Sequence, residues 1–236
     1  MAAGRIVVIT GAAGGVGQIV TKRWLDAGAS VLAVDAHNTG HQALQTFVGP
    51  TDRLATHVAD LTTEPGARSI VDAARSAFGA DPDTLLHLVG GFGMGPLDGE
   101  DAASTWQRML DLNLNSSFHC FRAMIPALKA RGGGWMVAMG SKAVGAPPAQ
   151  MAAYTASKAG LAALVHSASE EFKGDGIHIN LILASTIDTP ANRAAMGEKA
   201  AAKWVSPQDI AEATLFLCSE RAKALYGTTL EVYALS

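Results

Sequence analysis

The sequence predicts an α/β fold in which helices cover both faces of one doubly wound, parallel sheet of about seven strands. Three observations carry this prediction. Short apolar runs rich in Val, Ile and Leu, such as residues 6–9, alternate along the chain with longer segments of helical periodicity. A glycine-rich loop follows the first run directly. No linker, repeat or low-complexity segment divides the 236 residues, so we expect a single dinucleotide-binding domain over residues 1–236.

The composition excludes several classes of partner. The chain has 18 Lys and Arg against 21 Asp and Glu, and its net charge of −3 argues against binding to nucleic acid or to an anionic membrane surface. No apolar run approaches the roughly 18–20 residues of a membrane span, and no signal peptide precedes the first strand, so we expect a cytoplasmic protein. The two cysteines, Cys120 and Cys218, lie in apolar helical patterns and are expected to be reduced and buried.

The first two strands and the helix between them form a unit that is typical of dinucleotide binding. The strand at 6–9 runs into the glycine-rich loop, a helix follows at 18–27, and the strand at 30–35 ends on Asp35. Glycines let the loop backbone approach a pyrophosphate, and the free N–H groups of a helix N-terminus attract negative charge. A glycine-rich turn alone would also suit an unrelated α/β protein, but the strand, helix and acid in register favour a Rossmann-type cofactor site. The loop residues concerned are Gly11, Gly14, Gly15, Val16 and Gly17.

Asp35 predicts which dinucleotide binds. Its carboxylate can accept both hydroxyls of the adenosine ribose, and its charge would repel a 2′-phosphate. No Arg or Lys occurs in the loop or at residues 36–38 to attract such a phosphate. NAD(H) is therefore expected in preference to NADP(H).

The next elements bring further residues to the carboxyl edge of the sheet. A helix around 40–48 and a strand at 53–58 lead to Asp60, which could cap the helix at 64–78 or contact the adenine ring. A fourth strand at 84–89 leads into a flexible loop. Ligands of open parallel sheets bind beyond the strand C-termini, so this loop can contact cofactor and substrate. Phe92 and Met94 are candidate substrate contacts, and packing beneath the loop would explain them equally well.

The segment from Ser141 to Lys158 carries the reactive groups. Tyr154 and Lys158 lie four residues apart in a predicted helix at 151–172, which places them on one face, about 5–6 Å apart at Cβ. An ammonium group near a phenol lowers the phenol pKa from about 10, which suits Tyr154 as a general acid or base. Ser141 follows the strand at 135–139 and can donate to a developing alkoxide, although it could instead be a strand-end cap.

The remaining segments complete the sheet and its cover. Asn113 lies on the apolar face of a long helical stretch at 102–130, where a buried amide is either functional or bonded to nearby backbone. His87, His166 and His178 lie on separate elements, so no metal site is expected. The other predicted elements are a strand at 177–183, a candidate substrate lid at 186–204, a helix at 206–219 and a strand at 228–233.

Taken together, these motifs resemble the short-chain dehydrogenase/reductase family over essentially the whole chain. Thr10-Gly11-x-x-x-Gly15-x-Gly17 is similar to its coenzyme loop, and Ser141, Tyr154 and Lys158 have the spacing of its catalytic residues. The resemblance implies that Asp60 contacts adenine, that Lys158 also holds the nicotinamide ribose, and that Asn113 completes the catalytic group by holding a water. It extends the cofactor contacts to Leu61, Val89, Gly90, Gly91, Tyr154, Lys158, Ile187 and Thr189.

The chain also departs from the family pattern. Val89-Gly90-Gly91 stands where the family usually has Asn-Ala-Gly, and Ala184-Ser185 stands in place of Pro-Gly. Two segments are similar to the dihydropteridine reductase branch. One is Val-Gly-Gly before an aromatic residue, and the other is residues 188–196. That branch lacks a serine at the position of Ser141, and this serine favours ordinary carbonyl chemistry.

The expected function is therefore an NAD(H)-dependent oxidoreductase that transfers hydride between nicotinamide and a secondary alcohol or ketone. The alternatives are a dihydropteridine- or imine-type reductase and a non-catalytic dinucleotide-binding protein. The apolar surface of the helices at 102–130 and 151–172 also predicts a homotetramer or homodimer. The segments expected to line the substrate pocket contain Ala, Met, Pro and Ile, which suggests a modest apolar cavity.

Overall fold

The computed structural model describes residues 2–236 and contains one seven-stranded parallel sheet in the order β3-β2-β1-β4-β5-β6-β7. This confirms the predicted fold class. β1 and β4 are neighbours, so the chain reverses its direction of winding between them, and a crevice opens at their carboxyl ends. The strands are β1 (Ile6–Thr10), β2 (Ser30–Asp35), β3 (Leu54–Val58), β4 (Thr84–His87), β5 (Gly134–Ser141), β6 (Ile177–Ala184) and β7 (Thr229–Val232).

Helices bury both faces of the sheet, which explains why its central strands are apolar without alternation. Along β4, Leu85 packs on one face and Leu86 on the other, and both are fully buried. Helices α3, α5 and α6 cover the first face, and α1, α2 and α8 cover the second. The helices are α1 (Gly17–Asp26), α2 (His41–Val48), α3 (Glu64–Phe78), α4 (Ala102–Leu110), α5 (Ser116–Ala130), α6 (Ala152–Phe172), α7 (Pro190–Met196) and α8 (Pro207–Leu217).

The predicted single helix at 102–130 is interrupted. A π-helical turn, Asp111–Asn115, separates α4 from α5. Such wide turns mark functional sites in many helices, and this one carries Asn113. The spacing of apolar residues could not reveal it, because a single π turn leaves the helix pattern on both sides intact.

The fourth strand is shorter than predicted. It ends at His87, although the Leu88 N–H still donates to the Thr10 carbonyl oxygen at 3.3 Å. The N–H groups of Leu88 and Val89 also donate to the Thr10 hydroxyl, at 3.1 and 3.3 Å. This one β1 side chain thereby holds the start of the loop after β4.

The connection at 186–204 is structured. It contains α7 and a 3₁₀ turn, Glu198–Lys203, and Ile187 pairs with Val205 at its base. Within α7, Arg193 donates to both carboxylate oxygens of Asp188 at 2.6 and 2.7 Å.

Two further expectations concern the described residues. Across residues 2–236, no helix is both long and apolar enough to cross a membrane. Cys120 and Cys218 are buried free thiols, as expected, and burial raises the pKa of each to about 12.

Candidate active site

The glycine-rich loop between β1 and α1 is shaped by its own backbone. Gly11 has φ +67°, a conformation that favours glycine, and its N–H donates to the carbonyl oxygen of Val34 at 2.8 Å. A Cβ atom on Gly17 would overlap the Gly11 carbonyl oxygen and lie 2.7 Å from Ala12 Cα. The first turn of α1 can therefore approach the loop only without a side chain at position 17.

A cavity of about 410 Å³ lies against this loop. No side chain caps the N-terminus of α1, so its free N–H groups remain available there. Gly15 adjoins Thr189 at the start of α7, where a Cβ on the glycine would lie 3.2 Å from the threonine side chain. These features fit the diphosphate of a dinucleotide. The cavity is lined by Gly11, Gly14, Gly15, Val16, Gly17, Gln18, Leu88, Thr189, Pro190 and Ala191.

Asp35 lies at the end of β2 beside the loop, as predicted, but its carboxylate already has partners. The Ala13 N–H donates to its two oxygens at 3.1 and 3.3 Å, and Nε2 of His41 lies 3.2 Å from Oδ2. Burial raises the pKa of Asp35, and the Ala13 N–H and His41 oppose that rise. The carboxylate is thus held in one orientation at the edge of the cofactor crevice.

Asp60 does not cap α3. Thr63 is the N-cap, and its hydroxyl accepts from the Gly66 N–H at 3.2 Å. The Asp60 carboxylate instead accepts from the N–H and hydroxyl of Thr62 at 3.0 and 2.6 Å, and these bonds lower its pKa. It remains exposed at the carboxyl edge of β3, whereas the side chain of Leu61 is buried in the core.

Tyr154 lies in the first turn of α6, and its side chain is half-buried. Burial raises the pKa of Tyr154, and the nearby Ser141 hydroxyl offsets part of that rise. The Lys158 ammonium donates to the Met139 carbonyl oxygen at 2.7 Å, and its expected effect on the Tyr154 pKa with NAD⁺ bound stays a prediction. Burial also lowers the pKa of Lys158 to about 8. The raised pKa of Tyr154 means that the phenol is protonated at neutral pH.

Ser141 is the last residue of β5, which pairs with β6 up to this point. Its hydroxyl oxygen accepts from the Ala143 N–H at 3.2 Å. The two readings of Ser141, strand-end cap and donor, are thus compatible: the backbone bond uses a lone pair and leaves the hydroxyl proton available for another acceptor.

Asn113 bonds to backbone and side chain on two neighbouring segments. Its Oδ1 accepts from the Gly91 N–H at 2.9 Å, and its Nδ2 donates to the Gly91 carbonyl oxygen at 3.1 Å and to the Ser157 hydroxyl at 3.0 Å. The amide thereby links the π turn to the loop after β4 and to α6. These partners lie 22 and 44 residues away in sequence, so the expected local bonding to nearby backbone is not what the amide makes. The water-holding role stays a prediction.

Position 90, where the family pattern has alanine, has room only for a glycine. A Cβ atom there would lie 2.8 Å from Asn113 Oδ1 and 3.1 Å from Lys158 Nζ. The loop therefore passes closer to these two side chains than an alanine would permit. Val89, the residue before it, contributes an N–H to Thr10, and its side chain packs against the core.

Phe92 and Met94 do not pack beneath the loop. Their side chains are 56% and 57% exposed, so that alternative is wrong. The Phe92 ring meets the Tyr154 ring edge-on with centroids 5.2 Å apart. Met94 lines a second cavity of about 630 Å³, between the loop after β4 and the first turns of α4 and α6, where Trp106 also lies.

The two predicted contacts on the lid segment hold its base. Thr189 caps α7 by accepting from the Asn192 N–H at 3.2 Å, and the Ile187 carbonyl oxygen accepts from Asn192 Nδ2 at 2.7 Å. His87 is a satisfied core histidine, as expected: it bonds to Thr10 and Ser116, and burial lowers its pKa to about 3.

Sequence reasoning missed three contributors to the site. They are His41 beside Asp35, Ser157 beside Asn113, and the Met139 carbonyl that receives Lys158. The only available signal was positional, since Ser157 adjoins Lys158 in sequence. Within residues 2–236, no group of three His, Cys, Asp or Glu side chains is placed to hold a metal ion.

Comparison with known proteins shows which proteins the chain is similar to in sequence and fold. A family described as enoyl-(acyl carrier protein) reductase matches residues 11–233. The chain is 30% identical to the 7alpha-hydroxysteroid dehydrogenase of Escherichia coli (strain K12), over 97% of this chain and 92% of that one. It is 26% identical to a 3-ketoacyl-(acyl-carrier-protein) reductase from Brucella melitensis complexed with NADH, with a TM-score of 0.86 and coverage of 99% and 98%. An oxidoreductase of the short-chain dehydrogenase/reductase family from Burkholderia thailandensis is 32% identical, with a TM-score of 0.86 and coverage of 98% and 91%.

Proposed function

Because the chain belongs to the short-chain dehydrogenase/reductase family, we propose that it is an NAD(H)-dependent oxidoreductase acting on a secondary alcohol or ketone. Family membership supports a nicotinamide dinucleotide as the cofactor class. The observation that carries the proposal is the meeting of three groups at the carboxyl edge of the sheet. They are the half-buried Tyr154 phenol, the Ser141 hydroxyl beside it, and the buried Lys158 ammonium one helical turn along α6.

The protein supplies the proton and the cofactor supplies the hydride. In the direction of reduction, Tyr154 donates its phenolic proton to the carbonyl oxygen as that oxygen gains negative charge. Its raised pKa keeps the proton in place at neutral pH. Ser141 donates a hydrogen bond to the same oxygen, because its lone pair is already used by the Ala143 N–H. In the direction of oxidation, Tyr154 would act as the phenolate and accept the proton of the substrate hydroxyl as the carbinol carbon gives up its hydride, while Ser141 would orient that oxygen.

The chain's own residues would hold the cofactor along the crevice. The backbone of Gly11–Gly17 and the N-terminus of α1 would bind the diphosphate, and Asp35 the adenosine ribose. Asp60, exposed at the end of β3, would lie toward the adenine. The anchored ammonium of Lys158 would hold the nicotinamide ribose, with Asn113 keeping the neighbouring loop in position. The carboxylate of Asp35 favours NAD(H) over NADP(H).

We also propose a homotetramer or homodimer. Two aromatic side chains on the outer side of α4 and α5, Trp106 and Phe118, are 43% and 46% exposed, which supports an interface there. Light scattering tests it, and a monomer would contradict it. The cytoplasmic location expected from the sequence stays a prediction.

A substrate screen tests the proposed activity. Purified protein with NADH is assayed on a panel of ketones, and with NAD⁺ on secondary alcohols, following NADH absorbance. We expect turnover that Tyr154→Phe abolishes and that Tyr226→Phe retains, because Tyr226 stacks on His178 away from the site. Ser141→Ala should strongly reduce carbonyl reduction. NADH binding without turnover on any substrate, unchanged by Tyr154→Phe, would contradict the proposal.

A further inference from the structure

A series of hydrogen bonds runs through the core from the end of β1 to the π turn, and we call it the His87 network. Its members Thr10, His87 and Ser116 are all buried. The Thr10 hydroxyl lies 3.0 Å from Nδ1 of His87, and Nε2 of His87 lies 3.2 Å from the Ser116 hydroxyl. Ser116 in turn donates to the Leu112 carbonyl oxygen at 2.7 Å. One histidine thus joins the start of the coenzyme loop to the π turn.

The bonding partners fix the direction of every hydrogen bond in the His87 network. The Thr10 hydroxyl oxygen accepts from the first two N–H groups of the loop after β4, which uses both of its lone pairs. Its own proton is therefore donated to Nδ1 of His87, so the ring proton lies on Nε2 and is donated to Ser116. Burial, followed by the nearby charge of Lys158, lowers the pKa of His87 to about 3. The ring is thus neutral, and the network intact, at neutral pH.

The far end of the His87 network holds residues that adjoin the reactive groups. Ser116 is the first residue of α5, and its bond reaches back to Leu112 inside the π turn. The Leu112 side chain lies against Gly91, where a Cβ atom would be 2.7 Å from Leu112 Cδ1. The next residue, Asn113, bonds to both the N–H and the carbonyl oxygen of Gly91. A shift of the π turn would therefore displace the loop that passes the Lys158 ammonium.

We propose that His87 is a positioning residue for the reaction: it keeps the π turn, and with it Asn113 and the loop at 90–91, in register with the coenzyme loop. It is buried, so it acts through these segments and not by contact with substrate or cofactor. An apolar side chain of similar size would fill the same space but would leave the hydroxyls of Thr10 and Ser116 unconnected. This inference rests on the proposed oxidoreductase function, and it adds a residue that determines how well the reactive groups are aligned.

The other face of the sheet contains an equivalent network that serves as a matched control. There Nε1 of Trp24 donates to the Thr214 hydroxyl at 3.0 Å, and Thr214 donates to the Ala211 carbonyl oxygen at 2.7 Å. Both networks consist of a buried ring N–H, a buried hydroxyl and a helix carbonyl about one turn earlier. The control network joins α1 to α8 and does not reach the π turn. Thr214→Val therefore breaks a comparable connection without disturbing the surroundings of Asn113.

The activity test compares His87→Leu, Ser116→Ala and their double variant with Thr214→Val, on a ketone that the wild type reduces. A misplacement of about 1 Å can cost about 100-fold in rate, and Asn113 still holds the loop, so we expect kcat to fall about 10-fold in each single variant of the His87 network. The KM for the ketone and the Kd for NADH should stay within about threefold. The double variant should lose no more than the single ones, because both changes break the same connection. His87→Gln, whose amide offers one donor and one acceptor, should recover part of kcat.

Hydrogen exchange at the Gly91 amide tests the same connection without turnover. This N–H donates to Asn113 Oδ1 at 2.9 Å, so its exchange rate reports how firmly the π turn holds the loop. NMR should show exchange about 10-fold faster in Ser116→Ala than in the wild type, and unchanged exchange in Thr214→Val. Ser116→Ala removes only a hydroxyl, which keeps the test decisive should His87→Leu fold poorly.

Several results would overturn the inference. Equal losses of kcat in Ser116→Ala and Thr214→Val would reveal only the general cost of a lost buried hydrogen bond. Wild-type kcat in His87→Leu, losses that multiply in the double variant, or Gly91 exchange that Ser116→Ala leaves unchanged would each contradict a positioning role. A wild type that turns over no substrate would instead overturn the proposed function, and the exchange measurement would still decide whether His87 holds the π turn.

Discussion

The glycine at position 17 offers a sharp test of the cofactor loop. A Cβ atom there would overlap the Gly11 carbonyl oxygen and lie 2.7 Å from Ala12 Cα, whereas carbon atoms in contact lie about 3.5–4.0 Å apart. Gly17→Ala therefore forces the loop and the first turn of α1 apart by about 1 Å. At Gly14, by contrast, a Cβ would meet only the Gly11 oxygen, at 3.3 Å. Gly14→Ala is the matched control.

The expected loss of binding follows from this displacement. A shift of about 1 Å removes at least one N–H bond to the diphosphate, and a hydrogen bond to a charged group contributes about 1.5–3 kcal/mol. Since 1.4 kcal/mol is about tenfold in affinity, Gly17→Ala should weaken NADH binding by about 10- to 100-fold. Gly14→Ala needs a movement of only a few tenths of an ångström, so its change should stay within about threefold.

NADH fluorescence titration measures both variants, and thermal unfolding is recorded in parallel. Overpacking costs about 1–3 kcal/mol of stability, so the titration is made well below the melting temperature of the weaker variant. If folded Gly17→Ala binds NADH as tightly as Gly14→Ala does, the loop does not hold the diphosphate, and the assignment of the cavity beside it is wrong.

Further predictions concern the catalytic groups. Tyr154→Phe should lower kcat by about 10²–10⁴-fold, because it removes the general acid. Its Kd for NADH, measured by fluorescence titration, should stay the same as that of the wild type. Ser141→Ala should lower kcat for ketone reduction by about 10²–10³-fold. Recovery of kcat in Ser141→Thr would support a donor role for the hydroxyl. Lys158 has its pKa lowered by burial from 10.5 to about 8. At this site the unfolded chain binds more protons above about pH 8, so the contribution of Lys158 to the free energy of unfolding should rise by about 3 kcal/mol as pH approaches the unfolded value. The buried thiols of Cys120 and Cys218 lose stability over the same range in every variant. Urea unfolding therefore compares the wild type with Lys158→Met at each pH, and the difference between them should grow by this amount. Asn113→Ala leaves the Gly91 N–H without its acceptor and should cost about 1–3 kcal/mol of stability, measured by urea unfolding.

Local spacing was enough to predict much of this molecule. A four-residue step on a helix places Tyr154 and Lys158 on one face whatever surrounds them, and a glycine loop after a buried strand predicts the β1–α1 crevice. Apolar runs without alternation likewise predicted strands that are covered on both faces. Each of these features depends on neighbours within a few residues of the chain.

Features that depend on distant contacts could not be predicted in the same way. The direction of the Tyr154 pKa shift is set by burial, and Lys158 is drawn to the Met139 carbonyl, 19 residues away in sequence. The start of the loop after β4 is held by the Thr10 hydroxyl, 78 residues from Leu88. The contact between His41 and Asp35 depends on how the first turn of α2 folds back over the end of β2. Such contacts leave no periodic trace in the sequence.

Transfer of deuterium to a ketone substrate from NADH that carries deuterium at both C4 positions tests the central claim most directly. The account predicts that the deuterium moves to the carbinol carbon of the product, as measured by mass spectrometry, and that Tyr154→Phe suppresses this transfer while NADH still binds. Deuterium that stays on the cofactor or appears in solvent, or transfer that is unchanged in Tyr154→Phe, would contradict it.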